Sequence, residues 1–344
     1  MDKVCHFLNN SKYSGAENVV VTIGRLDEDN NHVFVSPDGP VTDIVEARGG
    51  RHVSINGLEL TVKEMMSVIL AEKPTVVQLH DFRASVKGAI ISSWMKKHGV
   101  RKIISHLHNN DPRMKKIGFT SLMYLGSLFA FDKVILVSDS VEREYVFRAF
   151  LKSKCVVLPN IVDQGWILES ANEKKVHDTG ILFLGRLAEQ KNPLEFVEFV
   201  KQVHATDSSV HATMIGSGPL KAEVERMISE NNLPIQLIGF TPNPYPYLKA
   251  ADCMVIPSKW EGFGLVALEA LVLQVPVLAK KVGGLATLLS NEKVAYLFDN
   301  MLTVENFELF WRREIKKSDF EDFLYEKNNL NNYKRVLQNI YQEK

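Results

Sequence analysis

The segment Pro257-Ser258-Lys259-Trp260-Glu261-Gly262-Phe263-Gly264-Leu265 follows an apolar run and leads into an apolar helical pattern that contains Glu269. Gly262 and Gly264 let backbone come close to a ligand. A helix start beyond them offers unpaired N–H groups and a positive dipole end, which is a way to hold a phosphate without a metal. Glu269 lies about one turn into that helix, within reach of a ribose attached to the phosphate. Its neighbours Ala267, Leu268, Ala270 and Leu271 mark a buried face, and a buried Glu needs a hydrogen-bond partner. A second turn, Leu184-Gly185-Arg186-Leu187-Ala188-Glu189-Gln190-Lys191-Asn192-Pro193, places two cations between a strand and a helix. Arg186 offers a planar fork to phosphate oxygens and Lys191 a point charge. A third turn, Ile215-Gly216-Ser217-Gly218-Pro219, again allows close backbone approach. Taken singly, each has an ordinary reading as a strand-to-helix turn or a solvated loop charge.

In the first half, His80-Asp81 ends one apolar run, and His106-Leu107-His108-Asn109-Asn110-Asp111 ends another. His106 and His108 are two apart, so on an extended strand they share a face. Together with Asp81 they could form a metal site, but no third close-spaced ligand is visible, and the reading is that no metal is bound. A histidine in such a place is more often a structural hydrogen bonder than a catalyst.

These residues need a frame. Apolar runs at Lys3–Leu8, His32–Ser36, Val76–Leu79, Lys102–Leu107, Lys133–Val137 and Cys155–Leu158 read as buried strands. A second series follows at Gly180–Leu184, His211–Ile215, Ile235–Ile238, Cys253–Ile256, Val275–Ala279 and Ala295–Phe298. Helical patterns lie between them, at Thr61–Glu72, Ser85–Lys97, Pro193–Ala205, Pro219–Asn231, Leu265–Leu273 and Leu285–Ser290. Apolar runs alternating with helices indicate parallel sheets covered on both faces. The polar stretch 164–178 reads as a linker between domains 1–163 and 179–325, and 326–344 as a terminal helix that packs back on the first domain. The class is α/β, with two doubly wound sheets facing a cleft and ligands beyond the carboxyl ends of the strands.

The order GRLAEQKNP, IGSGP, IGF and PSKWEGFGLVALEAL resembles the C-terminal half of retaining GT-B glycosyltransferases of the GT4 type. Glu261 and Glu269 carry that family's E-x7-E spacing, and LPNIVD (158–163) resembles its PNGVD segment. The resemblance implies a GT-B fold of two Rossmann-like domains, with Arg186 and Lys191 on the donor pyrophosphate and Glu269 on the ribose. It places Glu261, Gly262, Gly264 and the Phe263–Leu265 backbone around the donor sugar and phosphate, Gly216 at the same site, and Phe240 beside the base. Tyr13-Ser14-Gly15-Ala16-Glu17 resembles the family's GGxE loop, from which Gly15 is carried over to the donor diphosphate. His108 occupies the strand-end position that contacts the donor sugar near the reacting carbon. His80, Asp81, His106, Asn109 and Asp111 fall to the acceptor side. The sequence departs from the family at Gln274-Val275, where a glycine usually precedes Pro276, and no DxD-type motif stands out.

Composition bounds the rest. In 344 residues, 41 Lys plus Arg balance 41 Asp plus Glu, which argues against a nucleic-acid binder. With 45% apolar and 24% charged residues the chain is not disordered, and its length suits two domains. Cys5, Cys155 and Cys253 are far apart and form no CxxC pair, so a reducing cytoplasm fits. The zero net charge conceals a local excess: residues 83–116 hold nine cations against Asp111 alone. The apolar run Ile117–Phe131 follows, so residues 83–131 suit a peripheral contact with an anionic membrane. The expectation is a retaining hexosyltransferase that needs no cofactor. It would move sugar from a nucleotide diphosphate, UDP by family frequency, to a glycan hydroxyl, lipid-linked in cell-surface polysaccharide assembly such as capsule. The alternative is a nucleotide-sugar epimerase using the same donor site.

Overall fold

The computed structural model describes residues 1–9, 11, 15–290 and 293–343. The chain divides into two compact units, Met1–Ile161 with Asn329–Lys344, and Val162–Asn328.

The first unit is built on a seven-stranded sheet of order β3-β2-β1-β4-β5-β6-β7. Its strands are β1 (Lys3–Phe7), β2 (Asn31–Pro37), β3 (Arg51–Ile55), β4 (Val76–His80), β5 (Lys102–Leu107), β6 (Lys133–Leu136) and β7 (Cys155–Val157). Every pairing is parallel. Parallel strands with helices on both faces are buried on both sides, which is why Val76–His80 and Lys102–Leu107 are buried throughout, polar residues included. Strand β3 (RHVSI) carries no apolar run and was not legible as a strand. It lies at the sheet edge, where one side stays half-exposed, so its sequence is polar.

The second unit has a six-stranded parallel sheet of order β10-β9-β8-β11-β12-β13. These are β8 (Gly180–Leu184), β9 (Ala212–Ile215), β10 (Ile235–Gly239), β11 (Ala251–Ile256), β12 (Val277–Lys280) and β13 (Ala295–Phe298). Its core packs Phe183, Phe196, Phe199, Val200, Met214, Val255 and Leu278. Gln274 adopts φ 60, the left-handed conformation that favours the glycine expected before Pro276.

Two local departures from the sequence reading have physical causes, whereas the terminal helix lies in the expected unit. The polar stretch 164–178 opens with a helix, Gln164–Ser170, capped by Asp163 and anchored by buried Ile167, all within the second unit. The pattern Ser85–Lys97 is two helices, Asp81–Ile90 and Ser92–Lys97, broken at Ile91. The terminal helix Leu330–Gln342 buries Tyr333, Leu337, Ile340 and Tyr341 and belongs to the first unit. There Lys102 Nζ donates to the Ile340 carbonyl at 2.7 Å, and Arg101 pairs with Asp2 at 2.7 Å.

The basic excess of residues 83–116 is largely neutralised in space. Arg83 pairs with Glu59, Lys96 with Asp132, Arg113 with Asp111 and Lys115 with Glu144. A sequence window misses these partners because most of them lie outside it. The apolar run becomes the helix Phe119–Ser127 and a following 3-10 turn, Leu128–Ala130. Its inner side buries Ser121, Tyr124 and Ser127, while Ile117, Phe119 and Phe129 are 72%, 80% and 83% exposed. That inverts the usual amphipathic arrangement. Among the described residues no helix is long and apolar enough to cross a membrane.

Candidate functional site

In the second unit the strand order reverses between β8 and β11. At such a reversal in an open parallel sheet, ligands sit beyond the carboxyl ends of the strands. The loops leaving β8 and β11 are the segments 185–192 and 257–264. They are stitched together: Lys259 N–H donates to the Gln190 carbonyl at 2.8 Å, Gln190 Nε2 to the Trp260 carbonyl at 3.2 Å, and Asn192 Nδ2 to the Pro257 carbonyl at 3.3 Å. Lys191 Nζ is paired with Glu261, which also accepts from Ser258 Oγ at 3.1 Å. The ammonium is therefore held beside Gly262, while Arg186 is exposed.

Two glycines are required by close contacts. Gly216 has φ 144, and a Cβ there would lie 1.9 Å from the Gly185 carbonyl oxygen, so the loops after β8 and β9 touch backbone to backbone. Gly264 caps the helix Leu265–Val272 at φ 93, with no side-chain cap. A Cβ on Gly264 would meet Leu285 at 2.3 Å. The helix turns Glu269 inward, where it is buried and accepts from the buried Tyr245 hydroxyl at 3.3 Å. Phe240, after β10, is half-exposed on the same carboxyl edge of the sheet.

In the first unit the order reverses between β1 and β4. Gly15 opens the helix Gly15–Leu26 after β1, and the residues just before it, Tyr13 and Ser14 of the expected loop, lie outside the described residues. His80 ends β4, and Asp81 begins the next helix with φ 62, a costly conformation for a residue with a side chain. Asp81 Oδ1 accepts from the His108 N–H at 2.9 Å, which ties the end of β4 to the end of β5. His80, His106 and His108 are buried, and one ring nitrogen of each lies within 4.8 Å of the others. They are the residues best placed to hold a metal. Yet His80 Nδ1 is 2.9 Å from His108 Nε2, His80 Nε2 is 3.1 Å from His6 Nδ1, and His106 Nδ1 is 2.9 Å from Gln78 Nε2. Four of their six ring nitrogens are therefore already engaged. Burial, reinforced by neighbouring imidazoles, pushes His6, His80 and His106 well below the usual histidine range. Burial also lowers His108, against the opposing pull of Asp81.

Comparison with known proteins fits this architecture. Residues 166–317 match the family described as glycosyl transferases group 1. The Anabaena protein HepE, in a crystal structure with UDP and glucose, superposes with a TM-score of 0.80 over 100% of both chains at 16% identity. A Rickettsia africae glycosyltransferase gives 0.78 at 16% identity, covering 99% of this chain and 98% of its own. The fold is GT-B. In sequence, the chain is 26% identical over 234 residues to an uncharacterized glycosyltransferase of Methanocaldococcus jannaschii, covering 63% of this chain but only 58% of that protein. It is 26% identical over 264 residues to an Escherichia coli UDP-Gal:alpha-D-GlcNAc-diphosphoundecaprenol alpha-1,3-galactosyltransferase, covering 69% of this chain and 67% of the relative.

Within this GT-B chain, the second unit brings Arg186, Lys191, Gly216, Glu261, Gly262, Phe263, Gly264, Leu265 and Glu269 to one edge of one sheet. In the first unit Asp111 is committed locally, since it caps the turn Pro112–Met114 and forks onto Arg113 at 2.6 Å, and Asn109 is exposed beyond it. Sequence reasoning missed Tyr245 and Ser258, the partners of the two glutamates. A buried carboxylate demands such partners; Ser258 lies three residues from Glu261 in the same loop, whereas Tyr245 comes from a separate helix 24 residues before Glu269. It also missed His6, His32 and Asp27, because only strand register brings His6 beside His80 and His32, with its partner Asp27, beside His6.

Proposed function

We propose that the protein is a glycosyltransferase that moves a sugar from a nucleotide-diphosphate donor to a hydroxyl of a glycan acceptor. The observation that carries this is the reversal point of the second sheet. There Lys191, paired with Glu261, the glycine-capped helix Leu265–Val272 and buried Glu269 follow the carboxyl ends of β8 and β11. Arg186 and Lys191 stabilise the charge that develops on the leaving diphosphate, and the helix N-terminus adds its dipole. Glu269, held by Tyr245, accepts from the ribose hydroxyls. Glu261 aligns Lys191 and faces the sugar. Under this reading Gly15 and His108 of the first unit serve the same reaction, Gly15 toward the diphosphate and His108 toward the sugar.

The donor is a UDP-sugar in this proposal. Support comes from HepE, whose structure holds UDP and glucose, and from the E. coli relative, whose name gives UDP-Gal as donor. The acceptor is a lipid-linked glycan, as in the names of the E. coli relative and of a Campylobacter jejuni diphospho-undecaprenol N-acetylgalactosaminyltransferase that is 30% identical over 183 residues. The exposed stripe of Ile117, Phe119, Leu122 and Phe129 rests on the membrane that carries such an acceptor, on the cytoplasmic face of the cell membrane. Transfer retains the anomeric configuration, with the leaving phosphate oxygen taking the acceptor proton. The test is incubation with UDP-sugars and lipid-linked acceptors, with the product anomer read by NMR. A new glycosidic bond of the donor's configuration is expected. Release of an epimerised nucleotide sugar without acceptor would instead support the epimerase.

A further inference from the structure

A line of imidazoles crosses the sheet of the first unit. Parallel register pairs Val4 with His32, His6 with Gln78 and His80 with His106. His32, His6, His80 and His108 are thus each one strand over and two residues further along than the last. A step of two keeps the same face, so the four rings line up diagonally toward the carboxyl end of the sheet. Rings of His6 and His32 stack at 5.1 Å, His6 and His80 at 5.3 Å, and His80 and His108 at 5.2 Å. Hydrogen bonds join them: His32 Nδ1 to His6 Nε2 at 2.8 Å, His6 Nδ1 to His80 Nε2 at 3.1 Å, and His80 Nδ1 to His108 Nε2 at 2.9 Å. At the far end His32 Nε2 meets Asp27 Oδ2 at 3.1 Å.

We propose that Asp27 is a positioning residue that acts through this line on His108, fixing its Nδ1 as a bare acceptor for a hydroxyl of the sugar substrate. The reasoning is one of donors and acceptors. A carboxylate can only accept, so with one proton per ring His32 carries it on Nε2 and offers only a lone pair at Nδ1. His6 must then donate from Nε2, His80 likewise, and His108 likewise. His108 Nδ1 is left without a proton, and among the described residues it has no hydrogen-bond partner although it is buried. Asp27 stays ionised: its burial works against the charge, but hydrogen bonds from His32 and Asn30 outweigh that. The influence spans three inter-strand spacings, about 14 Å.

A second chain sets the complement. Tyr341 Oη donates to Gln78 Oε1 at 2.6 Å, and Gln78 Nε2 donates to His106 Nδ1 at 2.9 Å, so the His106 proton sits on Nε2. That Nε2 is also buried with no partner among the described residues. The His106 and His108 rings are 4.0 Å apart. One unsatisfied donor beside one unsatisfied acceptor is the complement of a single hydroxyl, which accepts from His106 and donates to His108. A phosphate oxygen offers no proton to a bare nitrogen, so the pair selects against it. That the hydroxyl belongs to a sugar rests on the function proposed above.

The test is nitrogen-15 NMR of the full chain labelled at histidine, with UDP release from UDP-sugars measured alongside. His6, His32, His80 and His108 are expected as Nε2–H tautomers. Asp27→Asn, whose amide can donate to His32, should change the His108 nitrogen shifts and lower kcat about 10–100-fold, with donor KM within about twofold. Asp27→Glu should restore both. If Asp27→Asn does not fold, His32→Phe cuts the line while keeping a ring beside His6, and must shift His108 in the same way. A protonated Nδ1 on wild-type His108, or His108 shifts indifferent to both cuts, overturns the proposal. The expected tautomers in a protein that turns over no nucleotide sugar would leave the imidazole line standing and remove the transferase reading.

Discussion

Acidification from about pH 7.5 to about pH 5.5 should destabilise the protein by about 4 kcal/mol, and the buried histidines are the reason. His6, His80 and His106 are fully buried, and their folded-state pKa values lie well below the ordinary 6.5. In the unfolded chain each takes up a proton as the pH falls through about 6.5, whereas in the folded chain each stays neutral. The unfolded state then binds more protons, so stability is present above that value and is lost below it. One unit below the unfolded pKa, each such group has cost about 1.4 kcal/mol, and three give about 4 kcal/mol. His108 adds to this in the same direction, moderated by Asp81. The carboxylates held low, Asp27 and Asp111, protonate only in more acidic solution, so the window reports on imidazoles. Against a typical total of about 5–15 kcal/mol the loss is large. Urea unfolding followed by circular dichroism at half-unit pH steps measures it. An unfolding free energy flat to within about 1 kcal/mol across that range would refute the reasoning.

Three further outcomes follow from particular contacts. Gly216→Ala puts a methyl group against the Gly185 carbonyl in a positive-φ backbone, and should cost about 1–3 kcal/mol in denaturant unfolding and weaken UDP binding. Tyr341→Phe leaves the buried Gln78 oxygen without its donor, and should cost about 1–3 kcal/mol by the same measurement. Phe119→Ser combined with Phe129→Ser removes the most exposed part of the apolar stripe. Sedimentation with anionic vesicles should fall several-fold while the melting temperature stays within about 2 °C, since neither side chain is buried.

The sequence carried the second unit further than the first. Strands β8 and β11 and the turns after them were legible because continuous apolar runs end in glycine and charge at fixed spacing. Lys102–Leu107 was equally plain, yet the roles of His106 within it and of His108 just after it were not. Their partners Gln78 and His80 lie 28 residues earlier, and His6 and His32 join the line beyond His80, all of them only through parallel register. Strand β3 escaped notice because an edge strand keeps polar residues. The basic excess of residues 83–116 misled for a related reason, since Glu59, Asp132 and Glu144 neutralise it from outside the window.

The central claim is that the loops after β8 and β11 hold a nucleotide diphosphate, and calorimetric titration of UDP tests it most directly. The wild type should bind, and Lys191→Ala and Glu269→Ala should each weaken binding about tenfold or more, about 1.4 kcal/mol or greater. Asn109→Ala, in the first unit, should leave it unchanged. UDP that fails to bind, or that binds both second-unit variants as tightly as the wild type, would contradict the account.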